Sequence, residues 1–328
     1  MLGTMAMSKM VKINLKNILK FLIPSVTVTA VVVIGLRIGF GMINYEYVQY
    51  EKFIHMEHLM PQADAEVYPE WTPSELPDKR NLNRIDNIKN RGFIRIGYFK
   101  DALPFVFMNE YKNLVGFDVE LAHSLARELE VKLEMVRIKR DRAVDLLDNG
   151  YIDMVMSGNL LTVSSEVIYS APYFYQTFAF IVEDHRKDEF NSLAAVFEHD
   201  SLRIGILYQP YYIDKVKSIL PNADIIKLDS PREFFVDGGK NLDAMIYTAE
   251  AGSAWSMVYP EYSVTVPTDR TSRVPVCFGL PKGDVEFNNF INRWILLKTT
   301  DKTIDRVTDY WIYGQSEELR TPRWCVAS

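Results

Sequence analysis

Cysteine and histidine are scarce in this chain. Among its 328 residues there are two cysteines, Cys277 and Cys325, and five histidines, His55, His58, His123, His185 and His199. No CxxC pair is present, and no cluster has metal-ligand spacing. His55 and His58 are close enough to share a helix face, but two ligands do not close a structural zinc site. An oxidising compartment would allow the two cysteines to pair, although Cys325 lies in a short tail. A basic excess is also missing. The net charge is −6 and the sequence pI is about 5.5, which argues against a nucleic-acid partner, because such a partner selects a basic face. There is no Ser-His-Asp set, Walker loop or zinc motif, and nothing calls for a cofactor. Hydrophobic content of 48% and charged content of 24% are ordinary for a globular protein. The length exceeds what one compact core usually takes, so two lobes or domains are expected.

The one long apolar run is Ile18 to Ile43, interrupted by Pro24 near its start and Arg37 near its end. A bilayer-crossing helix needs ~20 apolar residues, so a transmembrane anchor over 18–43 is expected. Lys9, Lys12, Lys16 and Lys20 flank it with no acidic residue among them. The positive-inside tendency then puts residues 1–17 in the cytoplasm and everything after Ile43 on the periplasmic or extracellular side. A cleaved signal peptide is the rival reading, but the run is longer than an ordinary h-region and lacks a small-x-small site after it. No cysteine follows it closely, so a lipoprotein anchor is excluded. The opening residues also leave room for this helix to be the last span of a larger assembly.

Residues 44–82 read as a spacer: Tyr45–Leu59 has the pattern of a short amphipathic helix, and Pro61, Pro69, Pro73 and Pro77 then break regular elements and favour an extended stalk. From Asn83 a short helix, a strand over Phe93–Tyr98, a helix over Gly116–Glu130, a strand from Val131 to Ile138, a helix from Arg142 and a buried strand at Ile152–Met156 follow. That order predicts a mostly parallel sheet covered on both faces. After Pro172 the pattern restarts, with strands near Phe178–Val182, Leu202–Leu207, Ile225–Leu228, Leu242–Tyr247 and Tyr262–Val266. A late strand at Val276–Leu280 and two closing helices complete it, ahead of a tail over 315–328. Two α/β lobes in tandem predict a clamshell, with both sets of strand ends facing one cleft.

The stretch FIRIGYFKDALPFVFMNEYKNLVGFDVELAHSLARELEV resembles the opening of the family 3 bacterial extracellular solute-binding proteins. YIDMVMSGNLLT with YSAPYF, LDAMIYTAEA, VPVCFGLPKGD and KTIDRVTDYWIYG resemble the later blocks, in the same order, over residues 83–314. The resemblance implies a type II periplasmic-binding-protein clamshell. Lobe 1 would be 83–174 with 277–314, lobe 2 would be 182–266, and crossings would fall near Tyr175–Ile181 and Thr265–Val276. It also implies hinge closure on a small polar solute. A looser likeness links the AEAGSAW stretch and the PRW tail to versions fused behind a dicarboxylate symporter.

The pocket departs from the family's amino-acid pattern. Ser165 stands where the family's carboxylate-binding arginine is expected, Leu160 where a hydroxyl is usual, and Thr248 where an aspartate holds the ligand ammonium. The resemblance therefore implies a pocket with Phe99, Asp101 and Phe105 on one side and Arg140, Ser157, Gly158 and Thr162 as its floor. The second lobe would add Tyr208, Gln209, Tyr211, Thr248 and Glu250. Ordinary structural roles compete for each: a turn cap for Asp101, core packing for Phe105, a solvated helix start for Arg140, and mutual packing for the tyrosines.

A receptor delivering a small solute to membrane transporter subunits is the leading expectation. A ligand sensor signalling through a partner is the second. An enzyme is the third, because dehydratases of prephenate-like acids resemble this fold. That chemistry requires a poised acid or base in the cleft, and only Asp101 and Glu250 offer themselves.

Overall fold

Alternating and continuous apolar runs in the sequence become the strands of two separate sheets. The computed structural model describes residues 53–78, 81–163, 167–207, 209–236, 241–269 and 271–315. All of these belong to one unit, Gln49–Ser328. The expected cytoplasmic segment, the transmembrane run over 18–43, the start of the spacer and nearly all of the tail lie outside the described residues. Among the described residues no helix is long and apolar enough to cross a membrane.

The first sheet contains β1 (Ala65–Tyr68), β2 (Phe93–Phe99), β5 (Lys132–Ile138), β6 (Met154–Val155), β7 (Ile168–Tyr169) and β14 (Gly279–Leu280), in the order β1-β5-β2-β6-β14-β7. β1, β5, β2 and β6 are parallel, and β14 runs antiparallel to both of its neighbours. A two-stranded hairpin, β3 (Phe107–Met108) with β4 (Leu114–Val115), leads into helix α2 (Phe117–Glu128), which follows α1 (Arg84–Arg91). Leu121, Leu125 and Phe117 on one face of α2 are fully buried, as the i, i+4 spacing requires. Gly116 caps this helix at φ +133, and a Cβ there would lie 2.3 Å from the Phe105 carbonyl oxygen. Only glycine allows that approach.

The second sheet contains β8 (Phe174–Glu183), β9 (Arg203–Leu207), β10 (Asp224–Leu228), β11 (Ala244–Thr248) and β12 (Tyr262–Thr265), in the order β10-β9-β11-β8-β12. β8 is longer than the apolar run FAFIV suggests, because its first residues pair antiparallel with β13 (Arg273–Val276), Phe174 opposite Val276 and Thr177 opposite Arg273. These two paired strands carry the chain from one lobe to the other and back. The strand expected over Val276–Leu280 is accordingly broken between β13 and β14. There the Cys277 amide donates to Asn159 O (2.9 Å) and the Phe278 amide to Ser170 Oγ (2.9 Å). Cys277 is buried and carries a free thiol. Helices α8 (Val285–Thr300) and α9 (Thr303–Trp311) return to the first lobe, where Trp294, Val307 and Trp311 join its core.

The expectation of an extended stalk is corrected over its described part. Phe53 and Met56 are buried in the first-lobe core, with Phe53 stacked on Phe107 at 4.8 Å. The amides of Leu59 and Met60 donate to the buried Glu120 carboxylate, and that of Ala63 to His123 Nδ1 (3.1 Å). β1 then adds a parallel edge strand beside β5. Prolines exclude helix and central strand here, but not an edge strand or a packed turn. At the opposite side of β2, the buried Asp153 accepts from the Arg95 amide (2.9 Å) and from the guanidinium groups of Arg84 and Arg91. Such a fully partnered buried carboxylate is costly to disturb.

Candidate functional site

A cavity of about 600 Å³ opens between the lobes, lined from both sheets and from the hinge. On the first-lobe side, Phe99 ends β2 and its amide donates to Ser157 Oγ (3.0 Å), which fixes the serine in the loop after β6. The next residue, Gly158, has φ +63 and faces the Phe105 ring so closely that a Cβ would lie 2.6 Å from Cδ2. The Gly158 amide donates to Asp118 Oδ2 (2.7 Å), and the Tyr173 hydroxyl donates to Asp118 Oδ1 (2.6 Å). Burial pushes the Asp118 carboxyl up to about 7, against these two hydrogen bonds that favour its charged form.

Arg140 opens the 3₁₀ turn Arg140–Arg142 after β5 and lays its guanidinium over the Phe99 ring, 4.2 Å from the centroid. Burial lowers its pKa, and the Tyr247 phenol on the second lobe is its electrostatic neighbour. Among the described residues no carboxylate pairs with it. Thr162 lines the cavity with its hydroxyl 3.1 Å from the Tyr169 hydroxyl. From the second lobe, Gln209 and Tyr211 line the cavity at the N-terminus of helix α5 (Pro210–Ile219), and Gln209 provides no side-chain cap.

Eight of the twelve residues expected from sequence thus line one cavity: Phe99, Phe105, Arg140, Ser157, Gly158, Thr162, Gln209 and Tyr211. Tyr208 lies outside the described residues. The other three stand elsewhere, each for a physical reason. Asp101, at φ +59 in the loop after β2, accepts from Arg232 and Ser230 of the second lobe, so its carboxylate is engaged across the cleft. Thr248 is fully buried at the start of helix α7 (Ala249–Val258), outside the cavity lining. Glu250, in the first turn of that helix, accepts from the Thr177 amide with both oxygens (3.2 and 2.9 Å), which ties the helix to hinge strand β8. Burial is the main cause of its raised pKa.

Sequence reasoning missed Tyr212, Tyr247, Gln176 and Phe178, all of which line the cavity. Tyr212 donates to Leu161 O (2.5 Å) and Gln209 Nε2 to Leu160 O (3.3 Å), so the first turn of α5 holds the loop after β6. The period-two pattern of β8 was the available signal for Gln176 and Phe178, which share one face of that strand with Phe174 and Phe180. Among the described residues no group of three or more His, Cys, Asp or Glu is placed to hold a metal ion.

A cavity between two sheets on a two-strand hinge has a counterpart among known proteins. The model of the bacterial extracellular solute-binding proteins, family 3, matches residues 94–314. This chain belongs to that family. Proteins similar to it include the cyclohexadienyl dehydratase of Pseudomonas aeruginosa, 22% identical over 237 residues, spanning 70% of this chain and 86% of the relative. The ABC transporter arginine-binding protein 1 of Escherichia coli is 22% identical over 228 residues, spanning 66% of this chain and 90% of the relative. Among solved structures, the ancestral amino acid-binding protein AncCDT-1, described as a precursor of cyclohexadienyl dehydratase, superposes with a TM-score of 0.62 at 28% identity. That match covers 70% of this chain and 99% of the other. The two-lobed type II binding-protein fold is therefore that of this chain, and the names of its relatives divide between binding and dehydration.

Proposed function

We propose that this chain is an extracytoplasmic solute-binding receptor, which captures a small polar or charged solute of amino-acid or carboxylate type by hinge closure and delivers it to a membrane transporter. The observation that carries this is the cavity itself: about 600 Å³, of a size to enclose a small metabolite, with walls on two lobes between which the chain crosses along β8 and β13. The arginine-binding relative is named as part of an ABC transporter, which supports a permease as the recipient. In this reading residues 18–43 anchor the receptor to the membrane. The eight cavity residues from Phe99 to Tyr211 contact the solute, and the second-lobe tyrosines close over it.

The dehydratase relative gives an enzyme reading a specific motive. Against it, the two carboxylates expected to act as acid or base are occupied: Asp101 by Arg232, and Glu250 by the Thr177 amide.

Thermal-shift screening against amino acids, amines, dicarboxylates and aromatic acids tests the proposal, with X-ray scattering on each hit. A micromolar solute at millimolar dose stabilises by ~4 kcal/mol through mass action. Stabilisation with a smaller radius of gyration and no turnover supports the receptor. Turnover of the hit replaces it with the enzyme.

A further inference from the structure

The charges around the cavity are unevenly committed. Arg140 places a full guanidinium charge on the first-lobe wall. It lies on the Phe99 ring face, within electrostatic reach of Tyr247. An aromatic face attracts a cation but leaves its N–H donors unfilled. Opposite, the N-terminal turn of α5 presents Gln209 and Tyr211 to the same space, with no side-chain cap, and the partial positive charge of a helix start favours an anion there.

The acidic groups near the cavity are otherwise engaged or solvated. Asp118 accepts from Gly158 and Tyr173 below the floor, Asp101 is held by Arg232, and Glu250 is held by the hinge amide. Asp141 and Asp214 do line the cavity, but both are exposed to solvent. A carboxylate in water attracts an ammonium weakly. A cationic solute would therefore meet an unpaired guanidinium and no free buried carboxylate among the described residues. A solute with surplus carboxylate would fill the guanidinium fork and lose little to repulsion.

Resting on the receptor reading above, we infer that the solute carries net negative charge, as an acidic amino acid or a small dicarboxylate does, and that Arg140 takes its carboxylate. This sets the chain apart from a relative that is named for binding arginine.

Calorimetry on the full chain with succinate, glutamate, glutamine and arginine tests the inference, because glutamate and glutamine have the same shape and differ in charge. At least one of the two anions is expected to bind ten-fold or more tightly than glutamine and arginine, with affinity falling as salt is raised. Arg140→Gln is expected to weaken that anion 10- to 100-fold, and Arg140→Lys to recover part of the loss. Glutamine or arginine binding as tightly as the anions overturns the inference and leaves the receptor reading standing. Conversion of a bound acid to product, followed by NMR in the same samples, removes the receptor reading itself.

Discussion

Arg232 of the second lobe grips Asp101 of the first with two arms of its guanidinium, Nη2 to Oδ1 at 3.0 Å and Nε to Oδ2 at 3.2 Å. Ser230 Oγ adds a third donor at 3.0 Å, and Trp255 lies under the guanidinium at 5.2 Å from its ring centroid. These contacts join the lobes outside the β8–β13 strand pair. Sequence placed Asp101 in the pocket, and the structure makes it half of a clasp.

Arg232→Ala should therefore shift the lobes toward the open form. The guanidinium is half exposed, so solvent screening limits the clasp to roughly 1 kcal/mol, or about a five-fold change in the open-to-closed ratio. Solute affinity should fall by that factor, and scattering should give a larger radius for the free chain. Raising salt should bring the unaltered protein toward the variant. Identical affinity and radius in the two proteins would assign the pair to the surface alone.

Two buried groups give stability opposite slopes with pH. The Asp118 carboxyl is raised to about 7 by burial, so the folded form holds a proton that the unfolded chain releases near pH 4. Its contribution is present at low pH and is lost as pH rises toward 7, at roughly 1 kcal/mol per pH unit. The His123 imidazole is lowered to about 4, chiefly by burial. Its contribution is present above pH 6.5 and is lost as pH falls toward 4. Urea unfolding across pH 4 to 7 should show the two largely offsetting in the unaltered chain. Asp118→Asn should leave stability rising with pH, and His123→Gln should leave it falling. The same slope in both variants would contradict the assignment.

The lobes were legible because burial writes itself into local pattern. FIRIGY, LRIGIL and LDAMIY are near-continuous apolar runs, and a parallel strand covered on both faces needs nothing else to declare itself. β1 was not legible. AEVY is a short edge strand whose Glu66 and Val67 are exposed, and the flanking Pro61 and Pro69 with their polar neighbours read as a stalk. What holds it is remote: it pairs with β5, 68 positions on, and the segment before it is fixed where Glu120 and His123 on α2 receive the amides of Leu59, Met60 and Ala63. The site divides in the same way. Residues at strand ends, such as Phe99 and Ser157, follow from where strands stop. The clasp from Asp101 to Arg232 spans 131 positions, and no local spacing encodes it.

Gly116 and Gly92 should respond very differently to alanine. Both have positive φ, but a Cβ at Gly116 would lie 2.3 Å from the Phe105 carbonyl oxygen, whereas nothing stands within 4 Å of one at Gly92. Gly92→Ala then costs only the left-handed backbone strain, ~1 kcal/mol. Gly116→Ala must also push apart the backbone that seats Phe105 against the cavity, ~3 kcal/mol or more. Denaturant midpoints measure both, and similar losses in the two variants would mean that the Phe105 turn yields easily.

Thr248 separates a ligand residue from a core residue most cleanly. It is fully buried, and its hydroxyl oxygen has no hydrogen-bond partner among the described residues. An unmatched buried hydroxyl is a standing cost, and valine has the same shape without it. Thr248→Val should leave the fold as stable as before or firmer by about 1 kcal/mol. Solute affinity should stay within two-fold, because the side chain stands outside the cavity lining. A variant that is stable but binds ten-fold more weakly would return Thr248 to the pocket, and with it the family's ammonium position on the second lobe.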